Sequence, residues 1–293
     1  MLEEISGWLA VDKPGGVTSA KTVAAAKRLL AARKAGHAGT LDQPASGLLA
    51  IAFGEATKTV PWVMDTKKTY SFRVRFGQST TTDDATGEII GESSRRPDNA
   101  EILAALQQFR GEIMQPPPLY SAVKIKGRRA AELAASGTNP DLTPRPLTVH
   151  HLEMTERLSV DVCEFRMVCG KGGYVRSIAR DLGEVLGCLG HVLSLRRFEV
   201  GRFTLADSIE LTGATRPDLE MRLKPLEWVL HSLPEIQFSE DQAARIRNGN
   251  PVPVSLSGPD PTDSAWASSH GKAVAMGKVE DGHFLPQRVF KPH

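Results

Sequence analysis

The run Tyr70-Ser71-Phe72-Arg73-Val74-Arg75-Phe76 constrains the fold more than any other stretch. Its apolar residues fall at every second position, and side chains two apart in an extended chain share a face. Tyr70, Phe72, Val74 and Phe76 therefore predict a strand with one buried face and one wet face. Stretches of helical period supply the covering layer. Thr18 or Ser19 caps a helix running to about Ala32, with Val23, Ala26 and Leu30 on one side. Asp98 opens a second helix to Arg110, with Glu101 placed for a capping box and Ile102, Leu106 and Phe109 inward. A third follows the glycine turn 170–173 and carries Val175, Ile178, Leu182, Val185 and Leu189 as its apolar stripe. Arg176 and Arg180, four apart, share a neighbouring face of that helix.

The remaining segments complete an α+β outline. Residues 160–169 and 192–200 read as strands, and 128–135 as a short helix. Three consecutive prolines make Gln115 to Tyr120 a stiff connector that carries Tyr120. Residues 137–146 read as an exposed loop, and 211–234 as a linker with a short helix. Beyond it, Ser239 caps a helix to about Arg247, and short strands fit 251–255, 272–280 and 284–290. The expected organisation is one large unit, 1–234, and a small mostly β unit, 235–293.

Composition bounds the function classes. A chain of 293 residues with 41% hydrophobic content holds one large core and a smaller one. Met1 to Ile5 lack a basic and an apolar signal region, and no apolar run approaches the roughly 20 residues that span a bilayer. No membrane partner is expected, and the cytoplasm is the expected location. A net charge of +2 does not by itself argue for nucleic acid. The stretch Lys124-Ile125-Lys126-Gly127-Arg128-Arg129 is basic without a compensating acid, which fits either a positive groove or an ordinary solvated face. Cys163, Cys169 and Cys188 form no CxxC pair, so reduced, buried thiols are expected rather than disulfides or zinc.

One acid stands out. Asp42 lies between glycine-bearing segments in the stretch from Gly36 to Leu49, just before an apolar run. Such a loop holds a carboxylate in a fixed pose at the edge of a sheet, although a lone Asp there is ordinarily a turn former. Five segments in order change that reading. They are Asp12-Lys13-Pro14-Gly15-Gly16-Val17-Thr18-Ser19, the Gly36 to Gly47 loop, and Phe53-Gly54-Glu55-Ala56-Thr57-Lys58. Next comes Lys67-Lys68-Thr69-Tyr70 running into the stretch Phe76 to Gly87, and last Gly172-Gly173-Tyr174-Val175-Arg176-Ser177 with Leu195-Arg196-Arg197-Phe198. Together they resemble the TruB family of bacterial tRNA pseudouridine-55 synthases.

The resemblance implies a mixed, largely antiparallel sheet of the pseudouridine synthase fold. It implies isomerisation of uridine 55 in the tRNA T-loop, without cofactor or metal, by a single monomeric protein that needs no guide RNA. Asp42 matches the catalytic aspartate, for which attack on C6, attack on C1′ and a glycal route all remain open. Tyr70 matches a tyrosine that stacks on the uracil and helps remove the C5 proton; its parity with Phe72 equally fits a core residue. Arg176 matches the arginine that pairs with the aspartate and orients it. His37 matches a histidine that stacks in the bent RNA loop, and Asp84 an acid of the active-site polar network. Leu195 matches an apolar residue beside the base, Tyr174 belongs to the tyrosine-arginine motif, and Lys13 to a loop that braces the catalytic one. Residues 124–152 resemble an RNA-clamping insertion, where Lys124, Lys126, Arg128 and Arg129 meet phosphate.

Arg245 to Gly249 and Pro286 to Phe290 resemble a reduced PUA domain, which implies acceptor-stem contact beside that of the T-arm. Two positions depart from the family pattern: Gln43 stands where proline is usual, and Gly173 where threonine is usual. Both shape loops, so altered stiffness or local hydrogen bonding without loss of function is the expectation. Two rival readings are an RNA-folding factor and a metal-dependent hydrolase built on Asp42, Asp83 and Asp84.

Overall fold

The computed structural model describes residues 2–121, 123–125, 127–138, 140–254 and 262–291, with the backbone alone at 124, 129, 262 and 263. Among these residues the largest sheet has nine strands. Its main path runs Gly7–Lys13, Ser46–Phe53, Gly190–Val200, Lys68–Phe76, Val162–Cys169, Arg145–Arg157 and Gly111–Gln115. Neighbours along this path pair antiparallel, except Ser46–Phe53 with Gly190–Val200, which run parallel. The class is the expected α+β with a mixed, largely antiparallel sheet.

The Lys68–Phe76 strand lies near the middle of that sheet, and its alternation decides how the sheet is covered. Tyr70, Phe72, Val74 and Phe76 are buried, together with Ile102 and Leu106 from one helical segment and Ile178 and Leu182 from another. Phe72 stacks on Phe165 of the adjacent strand at 5.5 Å. On the opposite face Ser71 and Arg73 reach Glu164 across the strand pair. Packing of the apolar face is the main stabilising contribution here, because each fully buried side chain of this size is worth about 1.5–3 kcal/mol.

Two helices stop earlier than their apolar spacing suggests. The Val175–Val185 helix ends before Leu189, which has φ of 60°, and Gly187 just ahead has φ of 64°. Gly183 permits this sharp exit, since a Cβ there would lie 2.3 Å from the Gly190 nitrogen. The Ser19–Leu29 helix likewise ends before Ala31, whose φ is 50°. Left-handed residues end helices because the backbone can no longer continue the i to i−4 ladder.

Several strands escaped sequence reasoning. Gly7–Lys13 and Gly111–Gln115 are strands, and Arg145–Arg157 is a strand of 13 residues. The last eight residues of the 124–152 segment therefore belong to the central sheet. Its period is hidden by a bulge between Val149 and His151, which shifts the buried parity from Leu147 and Val149 to Leu152. What remains of the segment is a small ladder, Lys124–Ile125 with Arg128–Arg129, followed by the Ala130–Ala135 helix.

The C-terminal residues form a five-stranded sheet in the order Glu235–Gln237, Thr262–Ser269, Lys272–Glu280, His283–Val289 and Val252–Pro253. The expected strand at 251–255 is only Val252–Pro253 among the described residues, and Glu235–Gln237 and Thr262–Ser269 were not foreseen. Ser239 and Gln242 form the capping box of the Glu240–Arg247 helix, whose Ala243 and Ile246 are buried against this sheet. Trp266, Met276 and Phe290 join Trp8, Val63 and Leu230 in one shared core. Lys58 Nζ also donates to the Val289 carbonyl at 2.7 Å, so the two sheets are packed together rather than tethered.

Candidate active site

The catalytic-loop candidate is held from three directions. Asp42 lies between the Ala35–His37 and Ser46–Phe53 strands. Ser19, at the start of its helix, pins the preceding residue: its hydroxyl donates to the Leu41 carbonyl at 2.8 Å and accepts from the Leu41 amide at 2.9 Å. Lys13 ends the first strand with no exposed surface. Its Nζ is surrounded by the carbonyls of Pro14, Val17, Gln43 and Ala45 at 2.5–3.3 Å. It is thus a buried ammonium at the end of a strand that braces the loop, rather than a loop residue itself. Burial pushes its pKa down to about 8, against the opposing pull of Asp42.

Arg197 holds the third side. Its guanidinium, 1% exposed, donates to the carbonyls of Leu48, Thr40 and Gly39 at 2.8, 3.4 and 3.1 Å. The loop carbonyls flanking Asp42 are therefore drawn onto two buried cations. Gly47 allows the close approach, because a Cβ there would meet the Arg197 carbonyl oxygen at 2.2 Å and its φ is +105°. The Gln43 side chain adds a tether to the Gly16 carbonyl at 3.1 Å.

Arg176, in the first turn of its helix, gathers three separate segments. Nε donates to Asp42 Oδ2 at 2.8 Å, Nη1 to the Thr82 carbonyl at 3.1 Å and Nη2 to the Tyr120 carbonyl at 3.0 Å. Its side chain is 6% exposed, whereas that of Asp42 keeps 36%. Asp84 Oδ2 stands 3.9 Å from the same Nε. The other oxygen of Asp84 accepts from the hydroxyls of Thr82 and Thr86 and from the Thr86 amide. Asp83 turns instead to Arg180, at 3.1 Å. The helix start is fixed by Gln115, whose amide exchanges hydrogen bonds with the Tyr174 backbone at 3.0 and 2.9 Å. The proline connector is thereby clamped onto the helix that carries Arg176.

These elements enclose a cavity of about 410 Å³, with Asp42, Tyr70, Tyr174, Arg176, Leu195 and Arg197 in its wall. Burial raises the pKa of Tyr70, with the Arg197 charge opposing, so the phenol is neutral in the physiological range. Burial also raises the Tyr174 phenol. Lys68, buried at the cavity floor, donates to the carbonyls of Met64 and Thr66, and burial lowers its pKa to about 8. A second hollow of about 320 Å³ shares Asp42, Arg176 and Leu195 and adds Asp84.

Other predicted residues lie further out. His37, half-buried at the end of its strand, is outside the wall of the main cavity, and burial lowers its pKa. Arg128 is exposed on the small ladder. Lys126 lies outside the described residues, as do the side chains of Lys124 and Arg129. Sequence reasoning missed Ser19, Lys68, Gln115 and Arg197 as parts of the site. Arg197 sits within a quoted motif, but only its register opposite Tyr70 places its guanidinium under the loop.

The Gly173 departure has a local cause. A Cβ at 173 would lie 2.7 Å from Cys169 Sγ and 3.2 Å from Leu147 Cδ1. Cys169 and Leu147 occupy the space that a larger residue at 173 requires. Packing thus accompanies whatever change in loop stiffness or hydrogen bonding the departure brings.

Residues 27–175 match the TruB family pseudouridylate synthase N-terminal domain, and residues 176–230 match the tRNA pseudouridylate synthase B C-terminal domain. The chain belongs to the TruB family. It is 52% identical over 291 residues to tRNA pseudouridine synthase B of Ruegeria pomeroyi, covering 98% of this chain and 96% of that one. Identity to the Paracoccus denitrificans protein of the same name is 50%, with 98% and 97% covered. Among solved structures, an H/ACA RNP bound to a substrate RNA containing 2′-deoxyuridine superposes with a TM-score of 0.73 at 23% identity, covering 98% of this chain and 85% of that one. A Cbf5-Nop10-Gar1 complex gives 0.73 at 25%, covering 97% and 84%. These structures share the fold.

Proposed function

We propose that the protein isomerises uridine 55 in the T-loop of tRNA to pseudouridine, with Asp42 as the nucleophile. The observation that carries this reading is the Asp42–Arg176 pair in the wall of a Tyr70-lined cavity, within a chain of the TruB family. The reaction breaks the N1–C1′ bond and forms a C5–C1′ bond. The C5 proton leaves and N1 gains one, so the change is an isomerisation with no redox partner. A half-exposed carboxylate whose second oxygen is fixed by a buried guanidinium is oriented to attack and later depart. Tyr70 stacks on the uracil, Leu195 packs beside it, and Asp84 stands near the Arg176 nitrogen that bonds Asp42. The target nucleotide leaves its stack to reach this cavity, with His37 supporting the opened RNA loop.

The partner is tRNA, met at the T-arm by the cleft and by Arg128 and its basic neighbours, and at the acceptor stem by the C-terminal sheet. The protein acts in the cytoplasm as a monomer, without a guide RNA or cofactor. Support comes from near-full-length identity of about half to proteins named tRNA pseudouridine synthase B.

The test uses an unmodified tRNA transcript labelled in uracil, with wild type and Asp42→Asn. Pseudouridine at position 55 with wild type only, and retained RNA binding by the variant, is the expected result. Binding without product from folded wild type would favour the RNA-folding reading. Undiminished turnover by Asp42→Asn would remove Asp42 from the chemistry.

A further inference from the structure

Ser121 is 4% exposed, lines the main cavity with Asp42, Tyr70 and Arg176, and its Oγ makes no hydrogen bond. A buried hydroxyl almost always finds a partner, because drying it without one is costly. The Ser121 side chain bears on the Tyr174 phenol, behind burial and the Arg145, Asp42 and Arg176 charges, and this weak approach falls short of hydrogen-bond geometry at Oγ.

The backbone around Ser121 is fixed on both sides. The Tyr120 carbonyl accepts from Arg176 Nη2 at 3.0 Å, and the Ser121 carbonyl accepts from the Ala131 amide at 3.2 Å. The Val123 carbonyl accepts from the Ala130 amide at 2.8 Å. One guanidinium therefore ties the segment carrying Ser121 to the acid it also orients. The hydroxyl is an unpaired donor and acceptor on a residue of the cavity wall, closed to solvent until its side chain turns toward a bound base.

We infer that Ser121 is a substrate-contacting residue whose hydroxyl pairs with the uracil edge formed by the two carbonyl oxygens and the imino group between them. The inference rests on the synthase reading above. To exchange N1 for C5, the freed base turns about the axis through its imino nitrogen and C6. That rotation swaps the two carbonyls and leaves the imino N–H in place, so the edge keeps its acceptor–donor–acceptor order. A hydroxyl can donate to either carbonyl and accept from the imino N–H. It therefore holds the base before and after the turn without moving the backbone that positions Asp42.

The experiment uses the full-length protein and tRNA transcripts with uridine, 2-thiouridine or 4-thiouridine at position 55. Single-turnover rates and RNA affinities are measured for wild type, Ser121→Ala and Ser121→Cys, which keeps nearly the side-chain volume if the alanine variant folds poorly. On uridine, Ser121→Ala should slow the reaction about tenfold to a hundredfold, with RNA affinity held within about threefold, a difference too small for a lost anchoring contact. Sulfur is a poor acceptor, so the Ser121→Ala penalty should shrink on at least one thio substrate, as expected for coupled partners. An equal penalty on all three substrates, an unchanged rate on uridine, or affinity lost in step with rate would overturn the contact. If wild type makes no pseudouridine on the uridine transcript, the synthase reading itself fails; turnover by wild type with no Ser121 effect sinks only this inference.

Discussion

Arg176 Nε lies 2.8 Å from Asp42 Oδ2, although 134 positions separate them in the chain. The same guanidinium also bonds the Thr82 and Tyr120 carbonyls, so it fixes the acid and two walls of the cavity at once. Breaking a buried pair while leaving one partner uncompensated costs about 3–5 kcal/mol.

Arg176→Lys should therefore lower the single-turnover rate by at least about a hundredfold. One ammonium cannot reproduce three directed bonds. RNA affinity should change far less, because the residue is buried. Rapid-quench kinetics beside a filter-binding isotherm would check this; equal losses in both would make Arg176 an RNA anchor.

Arg197 supports the loop rather than the substrate. Arg197→Met removes three hydrogen bonds to Gly39, Thr40 and Leu48 and leaves those carbonyls in a dry site. Each is worth about 1–3 kcal/mol when its partner is charged or its group is left unpaired. Calorimetry should show a thermal midpoint lower by at least about 4 °C. An unchanged midpoint would mean that the loop holds its shape without this cation.

Gly173 and Cys169 form a size-matched pair. Gly173→Thr should destabilise the protein by about 1–3 kcal/mol, the usual effect of overpacking, because its Cβ would lie 2.7 Å from Cys169 Sγ. Adding Cys169→Ala should recover most of that loss. Urea denaturation of both single variants and the double variant measures the coupling; additive effects would refute it.

Lys13 gives the site a basic limb. Its pKa is about 8, so below that pH it is an ammonium with three donors among four loop carbonyls. Above it, the neutral amine has two donors and no charge, and the brace on the Asp42 loop weakens. Single-turnover rates should fall about tenfold per pH unit above about 8. Lys13→Arg cannot lose its proton in this range and should flatten the limb, while Lys68→Met should retain it. If Lys68→Met alone abolishes the limb, Lys68 is the titrating group.

Local pattern was enough for much of the architecture. Alternation at Tyr70–Phe76 specified both the strand and its buried face, because a pleated strand has only two sides. The capping box at Asp98 and the cap at Ser239 marked helix starts, since a side chain there satisfies backbone amides that the helix leaves free. The ordered motifs singled out Asp42, Tyr70 and Arg176. Periodicity failed at Arg145–Arg157, where a bulge shifts the parity, and at Leu189, where left-handed backbone ends a helix that its apolar stripe would extend.

Only the tertiary structure decided which of these residues meet. The Asp42–Arg176 pair, the Arg197 and Lys13 cradles and the dry hydroxyl of Ser121 each depend on strand register and loop closure. No local preference encodes the distance between residues 42 and 176, or which carbonyls will surround a given ammonium. Sequence by itself determined many of the elements, because they follow from short-range periodicity and residue type, and its resemblance to a known family supplied the candidate chemistry. Packing determined the site, because burial and hydrogen-bond direction arise only when distant segments close on one another.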